Sequence, residues 1–462
     1  MRNVIYKSLF SLTCICFLFS CNKSDYLNTR PNQSLVVPES IEDLQALLDN
    51  DQVMNGAGVG GIVPSLGEIA CTDYFVKEDD LFGFILPLER NAYTWQKDVF
   101  NGEHIADWNL PYRAVFYANV ALEGLDKIEA NSSNQIEWNN VKGSALFYRS
   151  FMFYQIAQIF APQYDSNTAQ TDYGIPLRLK GDINEPILRS TLQQTYEQII
   201  GDLKEATPLL SAKPLYPTRP SKSSTYALLA KVYLSLQDYK TALLFADSCL
   251  QIQPELLDYN TLDVTATFPI PKFNEETIYY GILVWHDIIT PYLAGIDSAL
   301  YNSYDDNDLR KQIFFADGGP LNSKVFRGSY TNDNLFGGIA TDEMYLTRAE
   351  CYARTGNVAA ALSDLNTLLT KRYQTGTFRP YQTDNNDEAL NLIIAERRKE
   401  LVMRGVRWID LRRLNKGNQF ETTLNRIVNG TSYSLPPNDP RYTYPIPDEV
   451  IDFNPGMPQN AR

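Results

Sequence analysis

Tyr226-Ala227-Leu228-Leu229-Ala230-Lys231-Val232-Tyr233-Leu234, followed across Asp238-Tyr239 by Lys240-Thr241-Ala242-Leu243-Leu244-Phe245-Ala246-Asp247-Ser248-Cys249, is the stretch that decides the fold. Both runs repeat apolar residues at helical spacing, with neither glycine nor proline inside. The Pro/Ser-rich stretch 214–224 precedes them, and Pro254 ends the second run. Two helices joined by so short a turn must lie side by side, and the alanines let their backbones approach closely.

The spacing is more specific than the helices alone. Tyr233, Ala242, Ala246 and Pro254 fall three, twelve, sixteen and twenty-four residues after Ala230. Those are the offsets of a tetratricopeptide repeat, in which proline stops the second helix. A second unit is predicted over 344–371. There Ala349, Tyr352 and Ala361 repeat the spacing, Gly356-Asn357 makes the turn, and Thr341 is the expected cap. Asp342 and Glu343 suit the positive end of that helix. Weaker hairpin signals pair 111–128 with 142–160, the latter with an aromatic face of Tyr148, Phe151, Phe153 and Tyr154. A further helix over 191–210 is placed beside the Tyr226 helix. The fold class expected is mainly α: a tetratricopeptide-like hairpin scaffold with long irregular loops and a few short strands. The loops are 51–100, 255–340 (with a strand-like run 277–284) and 429–462. Loops this long signal functional surface, here as an irregular aromatic-rich layer.

Composition bounds the function. The chain has 462 residues, 44% of them hydrophobic, enough for a large core. Lysine plus arginine is 41 against 55 acidic residues, a net charge of -14, which argues against a nucleic-acid partner. Aromatics reach 12%, led by 29 tyrosines, and can serve core, ligand groove or interface. At the N-terminus Arg2 and Lys7 precede an apolar run, 8–19, that is too short to span a bilayer. Ser20-Cys21 then reads as a lipoprotein cleavage site. Residues 1–20 are assigned to a signal peptide, Cys21 to lipidation and 21–30 to a polar tether. The remainder, 31–462, is expected as one domain of three parts: 31–254, 255–340 and 341–462. Of six cysteines, Cys14 and Cys16 leave with the signal and Cys21 is the expected lipidation site, so only Cys71, Cys249 and Cys351 remain and no disulfide framework is expected. The two histidines, His104 and His286, make no zinc motif, and no Gly-rich phosphate loop is present. No metal or cofactor is expected.

Further motifs carry a resemblance. Glu343-Met344-Tyr345-Leu346-Thr347-Arg348-Ala349-Glu350-Cys351-Tyr352 leads to Ala360-Ala361-Leu362 and Asp364-Leu365-Asn366. Then come Ile394-Ala395-Glu396-Arg397-Arg398-Lys399-Glu400-Leu401 and Arg404-Gly405-Val406-Arg407-Trp408-Ile409-Asp410-Leu411-Arg412-Arg413. Together with Tyr444-Pro445-Ile446-Pro447, Glu449, Asn454-Pro455 and Gln459-Asn460, these resemble the SusD/RagB family of Bacteroidota outer-membrane lipoproteins. Trp108, Tyr112, Asn119 and the Tyr148 helix match more loosely. One departure is the ending, Asn460-Ala461-Arg462 where family members often finish Asn-Pro-Gly-Tyr.

The resemblance implies a glycan-binding lipoprotein on the cell surface, anchored to the outer membrane. It would cap a SusC-like TonB-dependent transporter as a hinged lid and hand it an oligosaccharide. Capture of peptides or another nutrient by the same lid is the alternative; a hydrolase or a plain scaffold is a more distant one. Sugars present apolar C–H faces and a hydroxyl rim, so aromatic platforms with polar edges suit them. The candidate ligand residues are Trp285, Tyr292 and Tyr304 in the central loop region and Trp95 with Asp73 in the early one, with core or transporter interface as the alternative role of each. Trp108 and Trp138 are read as helix anchors and Trp408 as core. Glu396 and Glu400, one turn apart, could suggest hydrolytic carboxylates. Arginines crowd them, however, and would hold both ionised, which favours a structural role and no enzyme activity.

Overall fold

The computed structural model describes residues 38–462, Val59 excepted, and Ser40–Arg462 form one compact unit. The assigned signal peptide, Cys21 and the tether lie outside the described residues. The longer helices are α1 (Ile41–Leu48), α2 (Ala106–Leu125), α3 (Gln135–Phe160), α4 (Leu192–Leu209) and α5 (Lys222–Ser235). They continue with α6 (Tyr239–Ile252), α7 (Thr341–Arg354), α8 (Val358–Thr370), α9 (Asn386–Glu400) and α10 (Arg407–Leu414). No helix among the described residues is long and apolar enough to cross a membrane.

The decisive stretch folds as α5 and α6. Ser221 caps α5, accepting from Ser224 N, and Asp238 caps α6, accepting from Thr241 N at 3.1 Å. Ala227, Ala230, Ala242 and Ala246 are fully buried between neighbouring helices, and Tyr233 stacks on Phe245 at 5.5 Å. The second unit forms α7 and α8. Gly356 takes φ +87°, a backbone open to glycine at no steric cost, and Asn357 caps α8 through Ala360 N. Thr341 is not the cap. Ala340 holds that position, and the Thr341 hydroxyl instead donates to Glu276 O at 3.2 Å.

In sequence the two units are 88 residues apart, from Gln253 to Ala340; in space they touch. Each helix from α2 to α7 packs on the next, α6 directly against α7, and α8 and α9 both pack on α7. The repeat stack therefore runs straight across the insertion. Cys351 of α7 sits with Leu234 and Ala242 at this seam, and the three cysteines among the described residues, Cys71, Cys249 and Cys351, are free and buried. Helix α3 is buried on every side from Gly143 to Phe160 rather than on one aromatic face, which makes it the axis of the core. Arg149 of α3 meets Asp202 of α4 in a bidentate pair at 2.7 and 2.9 Å.

The loop regions fold into short strands: β1 (Tyr74–Phe75), β2 (Tyr173–Pro176), β3 (Arg189–Thr191), β4 (Thr277–Tyr279), β5 (Gly295–Ile296), β6 (Phe315–Asp317), β7 (Lys324–Phe326), β8 (Ile339–Ala340), β9 (Leu424–Val428) and β10 (Thr431–Leu435). They form antiparallel pairs β1–β5, β2–β3, β4–β8, β6–β7 and β9–β10. Of the strand-like run 277–284 only β4 joins a ladder, which closes the insertion at its base; Ile282 and Leu283 make single bridges to Phe336 and Val63. The tail is built in as well. Asn460 Nδ2 donates to the carbonyls of Phe160 and Tyr444, and Arg462 lies over the Tyr444 ring.

Candidate ligand-binding site

The five residues singled out from the sequence divide into two groups. Trp285 is 42% exposed and Tyr292 81% exposed, on the segment that runs from Val284 to β5. The other three are interior. Trp95 is buried, with Nε1 donating to Ala70 O at 2.9 Å and the Arg426 guanidinium over its ring. Asp73 is buried under Arg398, which donates to Oδ1 from Nε and Nη2 at 2.9 and 2.6 Å. Tyr304 packs edge-on against Phe315, and its hydroxyl donates to Lys399 O at 2.7 Å. These three hold the loops in place and are taken out of the exposed set. Much of the expected aromatic layer is likewise interior, including Tyr259, Tyr279, Tyr280, Tyr330 and Phe336.

A buried histidine fixes the Trp285 segment. His286 Nε2 lies 2.8 Å from Asp107 and Nδ1 3.2 Å from Glu89, with Glu89 also accepting from Asp287 N and Ile288 N. Burial works against the imidazolium, but the two carboxylates outweigh it and push the pKa up to about 10. Trp285 Nε1 in turn donates to Asp287 at 2.9 Å. The hollow beside Trp285 holds only about 10 Å³, so the ring is a surface platform and not the wall of a pocket.

A roomier cleft, about 600 Å³, opens where β1 and β5 face the β6–β7 hairpin. Phe75 and Tyr301 supply its aromatic surfaces, and Asp317, Asn322 and Lys324 its polar edge. Strand alternation explains Phe75: Tyr74 points inward and Phe75 outward. The Phe75 ring lies directly on Gly295, where a Cβ would come within 2.7 Å of it. Tyr301 sits on the short helix Ser298–Asn302, capped by Asp297 through Leu300 N at 2.9 Å. The Lys324 ammonium stands 5.5 Å above the Tyr301 ring and pairs with Asp317, a contact that lowers the Asp317 pKa and raises that of Lys324.

The charged motif of α9 and α10 lies elsewhere and is internal. Glu396 and Glu400 converge on buried Arg310 at 2.6 and 2.9 Å, and Glu400 also takes Arg372 at 2.7 Å. Arg397 pairs with Asp410, and Arg404 with Asp342. Burial alone would raise the Glu396 pKa, yet Arg310 and Lys399 hold it below the ordinary value. Trp408 is buried against Tyr442, while Trp138 donates to Ile128 O and Trp108 packs on Phe160.

Residues 25–234 match a SusD-like family model described as starch-binding associating with outer membrane, and residues 316–462 match the SusD family model. The chain belongs to the SusD family. SusD-like protein P2 of Formosa agariphila is 24% identical over 398 residues, covering 72% of this chain and 75% of that one. A SusD superfamily protein from Bacteroides thetaiotaomicron superposes with a TM-score of 0.73 at 21% identity, covering 92% of this chain and 100% of its own. A SusD-like carbohydrate binding protein from Bacteroides vulgatus gives 0.64 at 18%, with 90% and 97% covered. At these identities the structures share the SusD fold. Of the cleft residues, Phe75 falls in the first matched stretch and Asp317 to Lys324 in the second, while Ile296 and Tyr301 lie between them.

Proposed function

We propose that this chain is a surface lipoprotein, lipidated at Cys21, that captures oligosaccharide and serves as the lid of a SusC-like TonB-dependent transporter. The observation that carries the reading is the open Phe75–Tyr301 cleft in a SusD-family chain. Two aromatic surfaces meet the apolar faces of sugar rings, and Asp317, Asn322 and Lys324 offer acceptors and donors to the hydroxyls. Trp285 and Tyr292, on the segment leading into β5, are outlying platforms for a longer chain. The relatives support the ligand class: one is described as carbohydrate binding, and one matching family model as starch-binding.

The reading is non-catalytic. Glycoside hydrolysis needs two carboxyl groups flanking one bond, one of them held protonated. Asp317 is the carboxylate among the described residues lining the cleft, and Lys324 keeps it ionised. Affinity electrophoresis of residues 22–462 through gels loaded with plant, mucin and microbial glycans tests the ligand class, with a mixed peptide pool as competitor. Retardation by one glycan class, unaffected by the peptides, is expected. Peptide binding without glycan binding would turn the lid to peptide capture.

A further inference from the structure

A second cleft, about 460 Å³, opens between the β2–β3 connection and the short helix Asp448–Phe453. It shares no residue with the Phe75–Tyr301 cleft. Trp108 and Tyr112 of α2 form its floor, their rings 4.8 Å apart. Phe453 and Ile183 stand at its mouth, 85% and 71% exposed. Its walls are tied together by hydrogen bonds. Tyr112 Oη donates to Pro176 O at 2.8 Å, Asn109 Nδ2 to Glu449 at 2.9 Å, and Arg189 Nη1 to Pro458 O at 3.1 Å.

The charges on the walls are unequal in their pairing. Glu185 is paired with Lys180 at 2.9 Å, and Glu449 accepts from Asn109 at 2.9 Å and lies 2.6 Å from His104 Nδ1. Arg178 forms no ion pair among the described residues. Its Nη1 donates to Glu185 O at 3.3 Å, and the rest of its fork is uncommitted. Arg189 does not line the cleft: its donors are spent on the carbonyls of Gly174, Tyr173 and Pro458, and its guanidinium lies over the Tyr173 ring. In a chain of net charge -14, a guanidinium without a counter-ion in a cleft rimmed by an exposed aromatic ring points to an anionic ligand with an apolar face. A planar fork of donors matches a carboxylate in two-point geometry.

We propose that this cleft is a second saccharide site that selects an acidic sugar, with Phe453 stacking on the ring and Arg178 holding its carboxylate. It rests on the reading of the chain as a glycan-capturing protein. Two weak sites on one rigid body would raise the avidity for a long polymer without any new contact.

Calorimetric titration of residues 22–462 with an oligogalacturonide, and with a neutral maltooligosaccharide of equal length, tests it. The acidic probe is expected to bind at least tenfold more tightly than the neutral one, and less tightly as salt rises. Arg178→Gln and Phe453→Ala should each weaken it about tenfold, and Leu244→Ala, at an exposed position on α6 outside both clefts, should leave it unchanged. Equal affinity for the two probes, or an acidic-probe affinity that ignores Arg178→Gln, would overturn the proposal. If glycans bind but respond only to Tyr301→Ala, this second site fails and the first cleft stands. If no glycan binds here or in the affinity gels, both readings fall.

Discussion

Glu350 shows how single residues hold this molecule together. Its carboxylate is fully buried in α7 and accepts from Arg413 at 2.6 and 2.7 Å and from Arg354 at 2.8 Å. Burial would raise its pKa, but the arginines outweigh that cost and bring it down to about 2. A carboxyl group with a depressed folded-state pKa stabilises the fold above its unfolded value. That contribution fades as pH falls from about 4.5 towards 2, and amounts to about 3 kcal/mol. Glu350→Gln, which keeps the volume and removes the charge, should cost a comparable amount at pH 7 and flatten the acid limb of stability over that window. Urea unfolding at a series of pH values checks this; an unchanged midpoint at pH 7 would contradict it. The same scale shows why candidate residues were hard to place from sequence. Asp73 is two positions from Phe75, and Tyr304 three from Tyr301: in each pair one side chain is buried and the other reaches the cleft. Which member faces water is not legible in the sequence, because a two-residue strand and a five-residue helix are too short to show a period.

At the scale of elements, the α5–α6 and α7–α8 hairpins were readable because their buried alanines recur at fixed offsets and Asp238 and Asn357 cap where turns were expected. The β9–β10 hairpin was not anticipated, although its signal is local. Asn429-Gly430 form a two-residue turn with φ of +49° and +70°, the conformation that matches the twist of a hairpin. It stood at the edge of a Pro- and Asn-rich stretch that reads as loop on composition. Nothing lies within 4 Å of a Cβ built on Gly430, so Gly430→Ala would suffer backbone strain alone, about 1 kcal/mol. Amide exchange in 424–435 should quicken several-fold while α5 to α7 stay protected; uniform protection throughout would show that the turn is unstrained.

At the scale of the whole molecule, the fold was legible through its repeats and its charged motif, whereas the way the repeats join was not. Contact between α6 and α7 depends on an insertion that leaves the stack and returns to it, and no local pattern encodes that. The insertion's strands carry the cleft: β5 pairs with β1 from the early loop, and the β6–β7 hairpin closes the other side. The repeat scaffold thus carries an aromatic cleft assembled from two distant loop regions. The most direct measurement is calorimetric titration of the glycan retained in the affinity gels into the wild-type chain and into Tyr301→Ala. Loss of one stacking ring should weaken binding about tenfold, with the urea midpoint unchanged. Equal affinity for the two proteins would contradict the assignment of the Phe75–Tyr301 cleft as the capture site.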